Sequence, residues 1–140
     1  MDEGIRFEGS CLCGRIRYRS ERGPLDCGYC HCRICQRSSG APVLAWAAFP
    51  VETFVYVGAT PAIYRSSTNG QREFCRECGT QIAFRELSDG GTVDVNFVTL
   101  DDPERLEPQY HIWTRSWLRW FDTADRLPRY DAAGPETADD

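Results

Sequence analysis

Apolar and polar residues alternate in short runs along most of the chain, and turn residues separate the runs. Arg15-Ile-Arg-Tyr-Arg19 alternates with period two, which predicts a half-buried strand with Ile16 and Tyr18 inward. The stretch from Phe7 to Cys13 reads as a strand entering a turn, and Leu25 to Cys30 as a second short strand. Val43-Leu-Ala-Trp-Ala-Ala-Phe49 is the most apolar run. Its length and flanking prolines suit a buried strand better than a helix. Phe54–Val57, Ala62–Tyr64, Arg72–Cys75, Gln81–Arg85, Thr92–Val98 and Tyr110–Trp113 complete the predicted strands, with a tight turn at Asn69-Gly70. One helical turn is predicted from Arg33 to Ser38, and Leu100-Asp-Asp-Pro-Glu104 carries a turn or helix-start signature. Many short strands with frequent turns predict an all-β or β-dominated domain.

At 140 residues the chain has a single-domain length, and its hydrophobic share of 41% is modest, so bound metal would supplement a small core. No apolar run approaches a membrane span. The start, Met1 to Phe7, is polar and unlike a signal peptide. A cytoplasmic protein with no membrane partner is the expectation. The formal net charge of -5 argues against a nucleic-acid partner, because phosphate binding draws on Lys and Arg. Arg15, Arg17, Arg19 and Arg22 form a local basic strip, read as a solvated strand face. The segment 131–140 is small, acidic and tail-like.

The eight cysteines change the picture most. In a reducing compartment, short cysteine pairs point to metal rather than to disulfides. Cys11 and Cys13 share one face of an extended segment, and Cys75 and Cys78 sit on a tight turn. Gly14 and Gly79 follow the two pairs. Four sulfurs in two distant pairs predict a closed tetrahedral zinc site that holds the fold.

Cys30, Cys32 and Cys35 supply three further sulfurs within the nine residues Cys27–Cys35. Three ligands leave a position open for chemistry. A three-thiolate zinc carries net negative charge, so it is a weaker acid toward water and better matched to a soft thiol. Cys27 is a candidate fourth ligand. It would close the second site and leave a non-catalytic zinc-binding interaction module. A Cys27–Cys30 disulfide in the metal-free chain is a third arrangement. His31, flanked by two candidate ligands, should point away from their face.

Other candidates are less specific. Trp113, Trp117, Trp120 and Phe121 could wall a pocket or form a dimer surface, but core aromatics are the simpler reading. Arg65, Arg72 and Arg76 could hold substrate carboxylates. Asp94 and Asn96 share a strand face opposite Val93, Val95 and Phe97, read as the wet side of a sheet.

These motifs resemble the glutathione-dependent formaldehyde-activating enzyme family, which also includes centromere protein V. The resemblance is carried by Gly9-Ser-Cys-Leu-Cys-Gly14 with Ile16 and Tyr18, by Cys30-His-Cys-Arg-Ile-Cys35 with Gly40, and by Phe74-Cys-Arg-Glu-Cys-Gly79. Leu100-Asp-Asp-Pro103, His111-Ile-Trp113 and Leu127-Pro-Arg-Tyr130 extend it, so that it covers one domain over about residues 5–130. It implies a zinc-stabilised, Mss4-like β-tent with short helical turns. It also implies two zinc ions per chain: a structural one on Cys11, Cys13, Cys75 and Cys78, and a catalytic one on Cys30, Cys32 and Cys35. The activity implied is a carbon-sulfur lyase reaction in which glutathione and formaldehyde interconvert with S-hydroxymethylglutathione. The implied partner is a small-molecule thiol such as glutathione, with a homodimer as a candidate assembly. The family's defining enzyme is longer, so the expectation is that this chain lacks parts of its glutathione pocket, and Cys27 is not a cysteine that the family pattern requires.

Overall fold

A computed structural model describes residues 6–88 and 90–135. The polar start of the chain and the last five residues of the acidic tail lie outside them. Among the described residues the chain forms ten strands and one short α-helix, with four 3-10 turns. The β-dominated architecture is the one the alternation predicts.

Three strands, β1 (Phe7–Ser10), β2 (Ile16–Ser20) and β5 (Phe54–Gly58), form an antiparallel sheet in the order β1-β2-β5. The alternation of β2 places Ile16 and Tyr18 in the core. The second sheet has seven strands. They are β3 (Asp26–Cys30), β4 (Leu44–Pro50), β6 (Ala62–Arg65), β7 (Gly70–Phe74), β8 (Gln81–Glu86), β9 (Thr92–Asn96) and β10 (His111–Ile112), in the order β10-β3-β4-β9-β8-β7-β6. Strands β6 to β9 form a meander and β3–β4 a hairpin. One pairing joins the two groups, β4 with β9, where Trp46 to Pro50 lie opposite Asn96 to Thr92. β10 is the exception to antiparallel pairing and lies parallel to β3.

The core fills the space between the sheets. Phe7, Ile16, Tyr18 and Phe54 from the small sheet meet Ala47, Phe49, Val93 and Val95 from the large one. A charged group is also buried there. Glu73 accepts from the Tyr56 hydroxyl at 2.6 Å, from Arg85 Nε at 2.6 Å and from Gln71 at 2.9 Å. Burial of a carboxylate is tolerable because each of its oxygens is paired.

The helix α1 (Arg33–Ser39) follows β3 directly. Cys32 caps its start, accepting the Cys35 N–H on its sulfur at 3.3 Å, and Gly40 closes it in the left-handed conformation. No helix among the described residues is long and apolar enough to cross a membrane.

Candidate metal centres and a cavity

The first cysteine group joins the two sheets. Cys11 and Cys13 lie in the turn between β1 and β2, and Cys75 and Cys78 in the turn between β7 and β8. Their four sulfurs lie within 4.8 Å of one another. Cys11 to Cys13 is 3.6 Å and Cys13 to Cys75 is 3.8 Å. A tetrahedral zinc with ~2.3 Å bonds to sulfur has edges of ~3.8 Å, so the group fits that ion. Both turns use a left-handed glycine, Gly14 at φ 83° and Gly79 at φ 82°, which an L side chain would strain. Backbone N–H groups point at the sulfurs. Ile16 N–H donates to Cys11 at 3.4 Å, and the N–H groups of Glu77 and Cys78 donate to Cys75 at 3.4 Å. The Thr80 hydroxyl lies 3.2 Å from Cys78 and, with its N–H, pulls that thiol down to about 5.

The second group is Cys30, at the end of β3, with Cys32 and Cys35 across the start of α1. Their sulfurs also lie within 4.8 Å of one another. Hydrogen bonds from Cys30 and Cys35 lower the Cys32 thiol to about 2, and donation to Cys32 pushes the Cys30 thiol up. Arg72, on β7, brings a cation to the group, with its guanidinium nitrogens 3.8 and 3.9 Å from the Cys35 sulfur.

Cys27 is not among these sulfurs. It pairs with Ala47, which pairs with Val95, and all three belong to the core. Its thiol donates to the Glu107 carbonyl at 3.1 Å. The reason is parity: Cys27 and Cys30 are three positions apart on one strand, an odd step, so their side chains leave opposite faces of the sheet. Neither cysteine is in a disulfide.

His31 turns away from the sulfurs, as the alternation requires. Its ring is fully buried, stacked on Trp117 at 4.0 Å, and Nε2 lies 2.8 Å from Nδ1 of His111. Nε2 of His111 lies 3.1 Å from both carboxylate oxygens of Asp125. Burial lowers the His31 imidazole to about 4, so it is neutral.

The face of the large sheet opposite the core lines a cavity of about 840 Å³, and Cys30, Cys32 and Cys35 are among its lining residues. Trp46, Asp94, Asn96, Phe84 and Arg72 line it, and Trp113 stands against it. Asp94 and Asn96 thus lie on a cavity wall, not on an open wet face. Of the three arginines considered from sequence, Arg72 reaches the cavity lining, and Arg65 and Arg76 do not. The tryptophans divide as well: Trp113 meets the cavity, Trp117 covers His31, and Trp120 is 75% exposed.

Sequence reasoning missed His111 and Asp125 as partners of His31, because they lie 80 and 94 positions away. It also missed Asp26 and Glu86 on the cavity wall. Period-two spacing from Cys30 and from Phe84 was the available signal, but it does not say which face is roofed.

Over residues 6–116 the chain matches the family described as glutathione-dependent formaldehyde-activating enzyme. It is 32% identical over 80 residues to an uncharacterised lyase of Schizosaccharomyces pombe, a match covering 56% of each chain. It is 31% identical over 84 residues to a putative glutathione-dependent formaldehyde-activating enzyme of Halomonas elongata, covering 54% of each. The chain thus spans about half the length of the curated relatives it matches. A crystal structure of a Rhodobacter sphaeroides protein superposes with a TM-score of 0.56 at 26% identity, over 72% of this chain and 96% of that one.

Proposed function

Because this chain belongs to the glutathione-dependent formaldehyde-activating enzyme family, we propose that it is a zinc-dependent carbon-sulfur lyase acting on thiol adducts of formaldehyde, of which S-hydroxymethylglutathione is the type. The observation that carries this reading is the three-sulfur group on the cavity wall, with Cys27 on the far face of the same strand. Cys30, Cys32 and Cys35 would hold one zinc ion and Cys11, Cys13, Cys75 and Cys78 another. A zinc ion in the three-sulfur site would supply the positive charge that favours the deprotonated form of an incoming thiol.

The rest of the chemistry falls to the chain. In the adduct-forming direction the substrate sulfur attacks the formaldehyde carbon, and one carbon-sulfur bond forms. The carbonyl π electrons move to oxygen, which takes up a proton equivalent to the one the thiol released. The reverse direction breaks that carbon-sulfur bond. The Cys32 cap fixes α1 against the end of β3, so three sulfurs converge without loop motion. Arg72 balances the charge of Cys35 from the side. The apolar faces of Leu44, Trp46 and Phe84 exclude water from the adduct.

The test is exchange spectroscopy by NMR between free thiol plus hydrated formaldehyde and the S-hydroxymethyl adduct. The zinc-loaded chain should accelerate the exchange, and Cys32→Ser should abolish the acceleration with an unchanged circular dichroism spectrum. Equal exchange rates with and without wild-type protein would refute the reading.

A further inference from the structure

The cavity lining carries two guanidinium groups, Arg33 and Arg72. Arg33 is exposed and donates to Gln36 at 2.7 Å. Arg72 is 8% exposed, and a cation buried so far calls for acceptors around it. Its chain neighbour supplies none, because Glu73 leaves the opposite face of β7 and is held there by Arg85, Tyr56 and Gln71. Phe84, opposite Arg72 in the sheet register, carries the guanidinium 4.7 Å from its ring centre. Gly70, two positions before Arg72, leaves room for that ring, since a Cβ there would lie 2.9 Å from Phe84 Cε1.

The contacts of Arg72 use only part of its donor set. The Cys35 sulfur lies 3.9 Å from Nη1 and 3.8 Å from Nη2, and the Ser38 hydroxyl 3.4 Å from Nη1. A sulfur nearly equidistant from both Nη atoms sits at the end of the guanidinium. A guanidinium has five N–H donors, so these contacts take at most three. The Nε donor is buried with no hydrogen-bond partner among the described residues. Nε and the remaining hydrogen of Nη2 form one parallel edge, the kind that suits oxygen acceptors. Cys35, Ser38 and Phe84 fix the rest of the group, so this edge is oriented before a ligand arrives. A buried donor left unpaired on a cavity wall marks the place of an absent acceptor.

We propose that Arg72 is a catalytic residue of the thiol-adduct reaction: the edge formed by Nε and Nη2 donates to the oxygen on the carbon that the thiol attacks. The inference rests on the thiol-adduct reading above and adds the group that holds the reacting oxygen. That oxygen is two bonds from the ligand sulfur. The ligand sulfur lies against Cys30, Cys32 and Cys35, and Arg72 already meets Cys35. As the adduct forms, the sulfur electron pair makes the carbon-sulfur bond and the carbonyl π pair moves to oxygen. Arg72 meets that negative charge as it develops, between apolar walls that strengthen the interaction. It keeps its own protons, because a guanidinium stays charged. The alkoxide is protonated from water, which receives the equivalent proton from the thiol. In reverse, the hydroxyl returns its proton to water, the oxygen pair re-forms the carbonyl, and the carbon-sulfur pair leaves on sulfur.

The experiment is calorimetric titration of the zinc-loaded full chain with thioacetate and with ethanethiol. Both have a sulfur on a two-carbon skeleton, and thioacetate alone has an oxygen on the carbon next to sulfur. The readout is the affinity for thioacetate divided by that for ethanethiol, compared between wild type and variant, so that the different acidities of the ligands cancel. The ratio should fall at least fivefold in Arg72→Met, with both zinc ions retained by native mass spectrometry. Arg72→Lys keeps the charge but not the parallel edge. It should show the same fall, and it stands in for Arg72→Met if that variant does not fold. In the exchange measurement Arg72→Lys should lower the maximal rate at least tenfold and leave the half-saturating thiol concentration within threefold. If both ligands bind and the ratio falls less than fivefold, or if only the half-saturating concentration changes, the inference fails and the thiol-adduct reading stands. If neither ligand binds the wild-type protein, the three-sulfur group is closed to thiols and both readings fall.

Discussion

Nε2 of His31 lies 2.8 Å from Nδ1 of His111, although the two are 80 positions apart in the chain. The bond ties the segment between Cys30 and Cys32 to the parallel strand β10, and so supports the second sulfur group from behind. The direction of donation follows from the far end. Asp125 can only accept, so His111 carries a proton on Nε2; with the His111 imidazole neutral, its Nδ1 accepts and His31 Nε2 donates. His111→Leu would leave the His31 donor buried and unpaired, at a cost of about 1–3 kcal/mol. Urea unfolding at neutral pH should register that loss, and His111→Gln should restore part of it.

Asp125 makes the same relay sensitive to acid. Burial would raise its carboxyl, but hydrogen bonds from the Leu127 N–H and His111 prevail and hold it at about 2, below the ordinary 3.8. The folded state therefore favours the carboxylate, and between those two values the unfolded chain binds more protons. This contribution is complete above pH 3.8 and is lost as the pH falls toward 2. The gap in urea midpoint between wild type and Asp125→Asn should be the same at pH 7 and pH 5, and the Asp125 carboxyl carbon, followed by NMR in the folded zinc-loaded chain as the pH is lowered, should keep its ionised shift down to the lowest pH at which the fold persists.

The cysteines should separate into three classes by metal content and stability. Cys75→Ser should lose one zinc per chain and unfold the protein at ambient temperature, because a closed zinc site contributes folding free energy directly. Cys32→Ser should lose one zinc and keep the fold. Cys27→Ala should lose none, at a core cost of about 1 kcal/mol for the small void. Mass spectrometry under native conditions together with thermal melts reads all three. Loss of zinc from Cys27→Ala would place its sulfur on the metal.

The buried Glu73 offers a contrast that needs no metal. Its side chain is 4% exposed and that of Arg85, its partner, 26%. Arg85→Met removes the cation and leaves the carboxylate between the sheets, which should cost on the order of 3 kcal/mol. Tyr56→Phe removes a single neutral donor and should cost about 1 kcal/mol. Chemical denaturation of the two variants, and of Glu73→Gln with Arg85→Met, should show that the double change is milder than Arg85→Met alone.

Much of the fold was legible because alternation is a local signal. Ile16 and Tyr18 faced the core as their spacing required, and so did Val93 and Val95. The cysteine pairs were legible for a similar reason, since chelation constrains neighbours in sequence. Cys27 was harder: its proximity in sequence drew attention, and the parity of β3 decides where its sulfur goes. Asp94 and Asn96 were assigned the correct relative face but an incorrect environment, because the roof over that face comes from segments near Trp113 and Ser66. The partnership of Arg72 with Cys35 depends on register across the whole sheet, which no single segment encodes.

The β4–β9 seam bears on how quickly the protein folds. The meander and the hairpin each form from neighbouring segments, but the seam brings Ala47 to Val95 across an intervening stretch that includes all of β5 to β8. The loop entropy of that closure is met before the large sheet exists, so the seam sets the folding barrier. Val95→Ala should accordingly slow refolding in stopped-flow mixing, whereas Ile82→Val, in β8 of the meander, should mainly hasten unfolding. A chain delayed at this step would expose two unjoined sheet edges, and its yield would be governed by speed of assembly as much as by final stability.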